Sequence, residues 1–251
     1  KLRASSFVQR RSPAHLFTLV IYYCVSLDMP RIEMTVVIDF MCPWSFIAMR
    51  SLRLAKERFT GQVEFSPVEF IPFEFDPPGT YPLEGTDWTE YCRSYGPEKA
   101  RFLLEDKLPR AFSLGRDVGI KFDMARRIVD TVDVNTALVL AQKYGVAEAF
   151  AEQTLSRHFE HLENPNEPTQ LRARLVSLGV PVSELDRELG DPARSARNQE
   201  RSLAARRLPG FRGGVPYFVL SCDGAPMDFE GTPTTPAAFM EAFAKCKKSE
   251  L

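Results

Sequence analysis

A chain of 251 residues, 44% hydrophobic and 26% charged, can bury the core of one large domain, or of a domain carrying a sizeable insertion. Its formal net charge of −1 gives no electrostatic footing for nucleic acid or an anionic membrane. Five cysteines (Cys24, Cys42, Cys92, Cys222, Cys246) are too few and too scattered for a disulfide scaffold, and with His15, His158, His161 and no C-x-x-C no zinc site is expected.

The first 33 residues differ from the rest. Lys1, Arg3, Arg10 and Arg11 precede an apolar stretch from Leu16 to Leu27, and no acidic residue occurs before Asp28. The stretch is short of the ~20 apolar residues of a membrane span, so no span is expected. It fits either a targeting segment or an extension foreign to the mature protein. Lys248-Ser249-Glu250-Leu251 is a loose variant of the K-D-E-L address. The expected location is the cytoplasm, with the endoplasmic-reticulum lumen or mitochondrion as alternatives if residues 1–33 are a targeting segment.

Met34 to Phe40 is an almost continuous β-branched run, the pattern of a central strand covered on both faces. Helical spacing follows over 43–59, Gly61 ends it, and Val63 to Phe70 alternates like a second strand. This is a β-α-β unit. Pro72 to Gly85 reads as an ordered loop. From Trp88 to about Leu208 the chain reads as helical throughout, with helices at 87–95, 97–118, 131–144, 146–162, 167–178, 181–189 and 191–207. His158 and His161 lie three apart there and read as a solvated helix face. Strands return at 215–222 and 226–230 around Asp223-Gly224, a hairpin signal, and a last helix spans 236–247. The expected organisation is an N-terminal extension (1–33), an α/β domain split between 34–75 and 209–248, and a helical insertion at 76–208.

Cys42-Pro43-Trp44-Ser45 joins the first strand to the first helix. Free backbone N–H groups at a helix start favour an anion, so a low-pKa thiolate is expected at Cys42. Where dithiol enzymes place a resolving cysteine, this chain has Ser45, so the site reads as monothiol. Ser45 is either a hydrogen-bond donor to the thiolate or a plain helix-start residue. Trp44 is expected to pack over the cysteine, and Asp39 is either a buried carboxylate that tunes proton transfer or a solvated strand-end acid. Cys92 and Cys222 read as ordinary buried thiols rather than resolving partners. Arg206, Arg207 and Arg212 form a helix end that could attract a carboxylate.

Gly213-Gly214-Val215-Pro216-Tyr217-Phe218 precedes the late hairpin, and a cis bond before Pro216 would turn the chain there. With Ile38-Asp39-Phe40-Met41-Cys42-Pro43-Trp44, Phe73-Glu74-Phe75-Asp76-Pro77 and Thr131-Val132-Asp133, this segment makes residues 34–247 resemble the DsbA-like thioredoxin family. The similarity is greatest to its FrnE-type branch, related to 2-hydroxychromene-2-carboxylate isomerases and kappa-class glutathione transferases. The resemblance implies an α/β thioredoxin fold with a large all-helical insertion between the βαβ and ββα halves. It implies catalysis by Cys42 with Ser45, and substrate binding by Pro43, Trp44, Val215 and Pro216. FrnE-type members read C-P-W-C and kappa-class members S-P-Y-S, so C-P-W-S combines a redox nucleophile with a transferase-type fourth residue.

The expected activity is therefore thiol–disulfide exchange with glutathione as resolving co-substrate and no bound cofactor. The expected partners are a disulfide-containing or glutathionylated substrate, with a homodimer as an alternative. A kappa-class-like transferase or isomerase, and a non-catalytic peptide-binding module, are the competing readings.

Overall fold

The computed structural model describes residues 29–82, 84–229 and 232–248. Most of the expected extension, Cys24 and the last three residues lie outside the described residues. Strand β1 (Arg31–Ile38) is solvated on alternate residues at its start and wholly buried from Val36, as a central strand must be once helices cover both faces. It ends into α1 (Pro43–Phe59), which buries Phe46, Ile47, Met49, Leu52 and Ala55 and ends in Lys56 and Arg58, suited to the negative end of a helix. The second strand runs parallel to β1 in two pieces, β2 (Glu64–Phe65) and β3 (Glu69–Pro72). Pro67 stands in the gap between them, where its missing N–H costs no ladder bond.

The connecting segment holds α2 (Trp88–Ser94), α3 (Pro97–Arg101), a π-helical segment (Phe102–Lys107) and α4 (Leu108–Asp117). It continues with α5 (Val132–Lys143), α6 (Ala147–His161), α7 (Pro168–Ser177), α8 (Val182–Gly190) and α9 (Arg194–Ala205). Two expectations need correction. The segment between α4 and α5 is not helical: β4 (Thr86–Asp87) pairs antiparallel there with β5 (Arg127–Ile128). Gly119, at φ 79°, ends α4, and the freed N–H groups of Lys121 and Asp123 donate to Glu160 and to the Phe159 carbonyl instead of to a helix. The expected helix 97–118 is interrupted by the π segment, where Leu108 N–H donates five residues back to the Leu103 carbonyl. Pro109, just beyond, has no N–H to give and favours such a widened turn.

Strand β6 (Tyr217–Cys222) lies antiparallel on the other side of β1, from Val37 opposite Tyr217 to Ile32 opposite Cys222. Asp223 (φ 50°) and Gly224 (φ 79°) both take left-handed backbone, as a tight hairpin turn requires. Strand β7 is shorter than expected, Ala225–Pro226, and α10 (Pro236–Lys248) closes the described chain. The sheet order is β2/β3–β1–β6–β7.

One apolar core runs through both parts, joining Val36 and Phe46 to Leu138, Phe150 and Phe159 of the helical segment. A smaller cluster of Val37, Phe73, Ala205, Phe211 and Val215 lies beneath the loop before β6. Cys222 is not the ordinary buried thiol that was expected: it is disulfide-bonded to Cys246, with Cα atoms 5.6 Å apart, tying the end of β6 to α10. The two lie 24 residues apart and meet only because α10 packs back along the sheet. Among the described residues no helix is long and apolar enough to cross a membrane.

Candidate active site

Cys42 is the N-cap of α1, with extended backbone (φ −86°, ψ 115°), and Pro43 occupies the first helical turn where a missing N–H costs nothing. Opposite it, the chain before β6 bends at Gly213 (φ 83°), and the Val215–Pro216 peptide is cis. The two segments meet: Cys42 Sγ donates to the Val215 carbonyl at 3.4 Å. Pro216 is buried behind this contact, and its carbonyl accepts a 2.8 Å hydrogen bond from the Thr232 hydroxyl.

A cavity of about 450 Å³ opens at this junction. Cys42, Pro43, Trp44 and Val215 form one wall, while Tyr95, Phe102 and Leu103 of the helical segment form another. Trp88, Leu108 and Ile128 line its floor, and Lys99, Lys107 and Arg212 its rim. Of the three arginines singled out from sequence, only Arg212 reaches the cavity; Arg206 lies over the Phe73 ring at 5.1 Å.

Ser45 is fully buried beneath Cys42 and does not line the cavity. Its Oγ accepts a long hydrogen bond (3.5 Å) from the Asp39 N–H, and its hydroxyl also favours the charged form of the Cys42 sulfur. Asp39 is the buried carboxylate, 3% exposed, and one of its oxygens accepts the Met41 N–H at 2.6 Å. Burial raises its pKa to about 7, against the lowering effect of the Met41 and Phe75 N–H groups. Beside it lies a second cavity of about 30 Å³ lined by Glu74, Asp76 and Asp130, room for about one water.

The expected preformed thiolate is corrected here. Burial, and then the Asp39 charge, push the half-buried Cys42 thiol up to about 11. The N–H groups of Ser45 and Trp44 and the Ser45 hydroxyl pull in the other direction and do not prevail. The helix-start argument counts only the local donors, whereas desolvation by the surrounding walls is the larger effect. A thiol raised in this way keeps its proton, in agreement with its donation to the Val215 carbonyl.

His158 also departs from expectation. It is 3% exposed rather than solvated, with Nδ1 3.1 Å from the Glu163 carbonyl, and burial beside the Arg126 charge lowers its pKa to about 3. His161 on the next turn is exposed. Arg126 is buried between the rings of Trp88 (4.1 Å) and Phe159 (4.6 Å), with both terminal nitrogens unpaired. Nothing in the sequence pointed to it. Lys99, Phe102 and Lys107 were also missed: Glu98, Glu105 and Asp106 alternate with them in sequence, so the stretch reads as an ordinary solvated helix and only the fold turns the two lysines toward the cavity. Cys92 is a fully buried free thiol, as expected, and does not line the large cavity. Among the described residues no group of acidic, histidine or cysteine side chains could hold a metal.

A βαβ unit and a ββα unit sharing one sheet, with a cysteine capping the first helix opposite a cis-proline loop, define a thioredoxin-type protein. The chain belongs to the family of the DSBA-like thioredoxin domain, whose model matches residues 33–240. The helical insertion lies between the two halves as the resemblance implied. Among solved structures it is similar to a probable DsbA oxidoreductase from Streptomyces coelicolor, at 24% identity over 86% of this chain and 89% of that one, with TM-score 0.65. It is also similar to a 2-hydroxychromene-2-carboxylate isomerase (15% identity, 77% and 88% covered, TM-score 0.54). A third is the cytosolic disulfide reductase DsbM from Pseudomonas aeruginosa, solved with GSH (16% identity, 85% and 99% covered, TM-score 0.53). No curated protein shows a significant match in sequence.

Proposed function

We propose that the protein is a thiol–disulfide oxidoreductase acting through Cys42 alone, with glutathione as the resolving thiol. One observation carries this: among the described residues Cys42 is the sole thiol lining a cavity that it shares with Val215, and Ser45 is buried where a dithiol enzyme would hold its second sulfur. The Val215 carbonyl accepts a hydrogen bond from the Cys42 thiol. A ligand whose backbone N–H takes that carbonyl leaves the thiol proton without its acceptor and free to pass to water at the cavity mouth, while the Ser45 and Trp44 N–H groups and the Ser45 hydroxyl favour the thiolate left behind. The Cys42 thiolate then attacks the glutathionyl sulfur of a mixed disulfide. An S–S bond forms between Cys42 and glutathione, the substrate S–S bond breaks, and the substrate leaves as a thiolate. A second glutathione thiolate attacks the adduct, releases oxidised glutathione and restores Cys42. DsbM having been solved with GSH supports glutathione as the co-substrate.

The neutral thiol favours one second reading, a glutathione transferase or isomerase. There Cys42 stays protonated and donates its S–H to the thiolate of bound glutathione, the part a serine hydroxyl takes in the S-P-Y-S pattern. Incubation with oxidised glutathione and intact-mass analysis separates the two. The oxidoreductase requires one adduct, mapped to Cys42, reversed by glutathione and absent in Cys42→Ala. Conjugation of an electrophile without any adduct would replace it with the transferase. The working location is cytoplasmic; quantitative oxidation of Cys222–Cys246 in cells would move it to an oxidising compartment.

A further inference from the structure

The cavity has more in it than a glutathionyl group resting on Val215 would use. The wall facing Cys42 is apolar and open: Phe102 is 48% exposed and Tyr95 40%, although both are large rings. The π segment creates that wall, because its wider turn brings Phe102, Leu103 and Lys107 to the same side. Its cations are uncommitted. Lys99 lies over the Tyr95 ring (Nζ 4.8 Å from the centroid) and Lys107 over Phe102 (5.8 Å), and among the described residues neither pairs with a carboxylate. Among the described residues no acidic one lines this cavity. Two ammonium groups held only by ring faces keep hydrogen-bonding capacity free beside an apolar surface. A half-open cleft of about 450 Å³ has the size of a small-molecule site and is too small for a folded protein segment.

We infer that the leaving half of the substrate is a small, apolar, anionic thiol, its apolar body against Tyr95, Phe102 and Leu103 and its acid group on Lys99 and Lys107. This deepens the oxidoreductase reading and rests on it. In the reaction Cys42–S⁻ + GS–SR → Cys42–S–SG + RS⁻, the group R fills the helical wall and departs through the cationic rim, so the negative charge on the leaving sulfur also moves toward the lysines.

The test uses mixed disulfides of glutathione with para-mercaptobenzoate and with para-mercaptobenzamide, matched in shape and differing in one charge, and a glutathionylated protein as a third substrate. The benzoate disulfide should show about tenfold higher kcat/KM than the benzamide, the worth of a charge-assisted hydrogen bond. Lys99→Gln with Lys107→Gln should bring that ratio close to one, and Phe102→Ala should lower kcat/KM for both small disulfides. A ratio near one in the unaltered protein, or fastest turnover of the glutathionylated protein, overturns the inference. Benzoate binding to the Cys42→Ala variant, read by tryptophan fluorescence, needs no thiol chemistry. Saturable binding there without any Cys42 adduct on the unaltered protein sinks the oxidoreductase and keeps the anion site. An adduct without benzoate binding does the reverse.

Discussion

Asp39 couples this site to pH in a direction opposite to that of an ordinary ion-paired carboxylate. Its pKa rises from 3.8 to about 7 on burial, so between those values the folded protein holds a proton that the unfolded chain releases. Stability from this group is therefore full below pH ~4 and is lost as pH rises to ~7, by at most ~4 kcal/mol for a shift of about three units. Asp39→Asn, whose amide oxygen can still accept the Met41 N–H, should abolish that decline. Urea denaturation at a series of pH values measures it. A slope across pH 4–7 identical in both proteins would place the titrating group elsewhere. Because Asp39 is also the largest electrostatic cause of the raised Cys42 thiol, the same variant should alkylate faster at a given pH, provided Asp39 is charged there.

At the scale of elements, the disulfide joins β6 to α10 across 24 residues, and closing a loop of that length stabilises by about 3 kcal/mol in the chain-entropy account. Replacing Cys222 and Cys246 together by alanine should lower Tm by about 6–12 °C for a chain of this size. Glutathionylation of Cys42 should persist, because neither residue lines its cavity. If turnover vanished with the fold intact, a remote resolving sulfur would be required. The first turn of α1 supports a second prediction. Ser45 stands three residues after the N-cap cysteine and directly under it, so Ser45→Cys should close a disulfide with Cys42 under mild oxidation. The variant should then reduce insulin-type disulfides with less added glutathione. An introduced thiol that stays free would mean the site geometry has diverged by more than one substitution.

Over the whole molecule, the seam between sheet and helical segment is core rather than interface. Phe159 of α6 stacks on Phe46 of α1 at 5.8 Å, meets Phe122 edge-on at 5.5 Å and carries Arg126 over its face. Arg50 of α1 reaches Glu152 and Glu160 of α6, and Lys56 reaches Glu148. Phe159→Ala should cost about 3–5 kcal/mol, in line with truncating a fully buried ring. Calorimetry should show one transition displaced downward. Two separated transitions in the unaltered protein would mean that the two parts are stable independently. The large cavity lies at the same seam, so its two walls come from segments about 60 residues apart in the chain, as Cys42 and Phe102 are.

Sequence by itself determined the elements and their order. The β-branched run into Cys42, the helical spacing after it and the Gly-Pro punctuation of the later helices are local signals, set by backbone propensity and side-chain period. It also determined the two halves of the site, because C-P-W-S and G-V-P each sit at a junction whose chemistry is local. Tertiary structure alone decided the pairing of Cys222 with Cys246, the β4–β5 contact and the burial of His158 and Arg126, since each depends on residues distant in the chain. It also reversed the expectation at Cys42. The N–H groups that favour a thiolate are its neighbours in sequence, while the desolvation that opposes them comes from walls built by the rest of the chain, and for this sulfur the walls prevail.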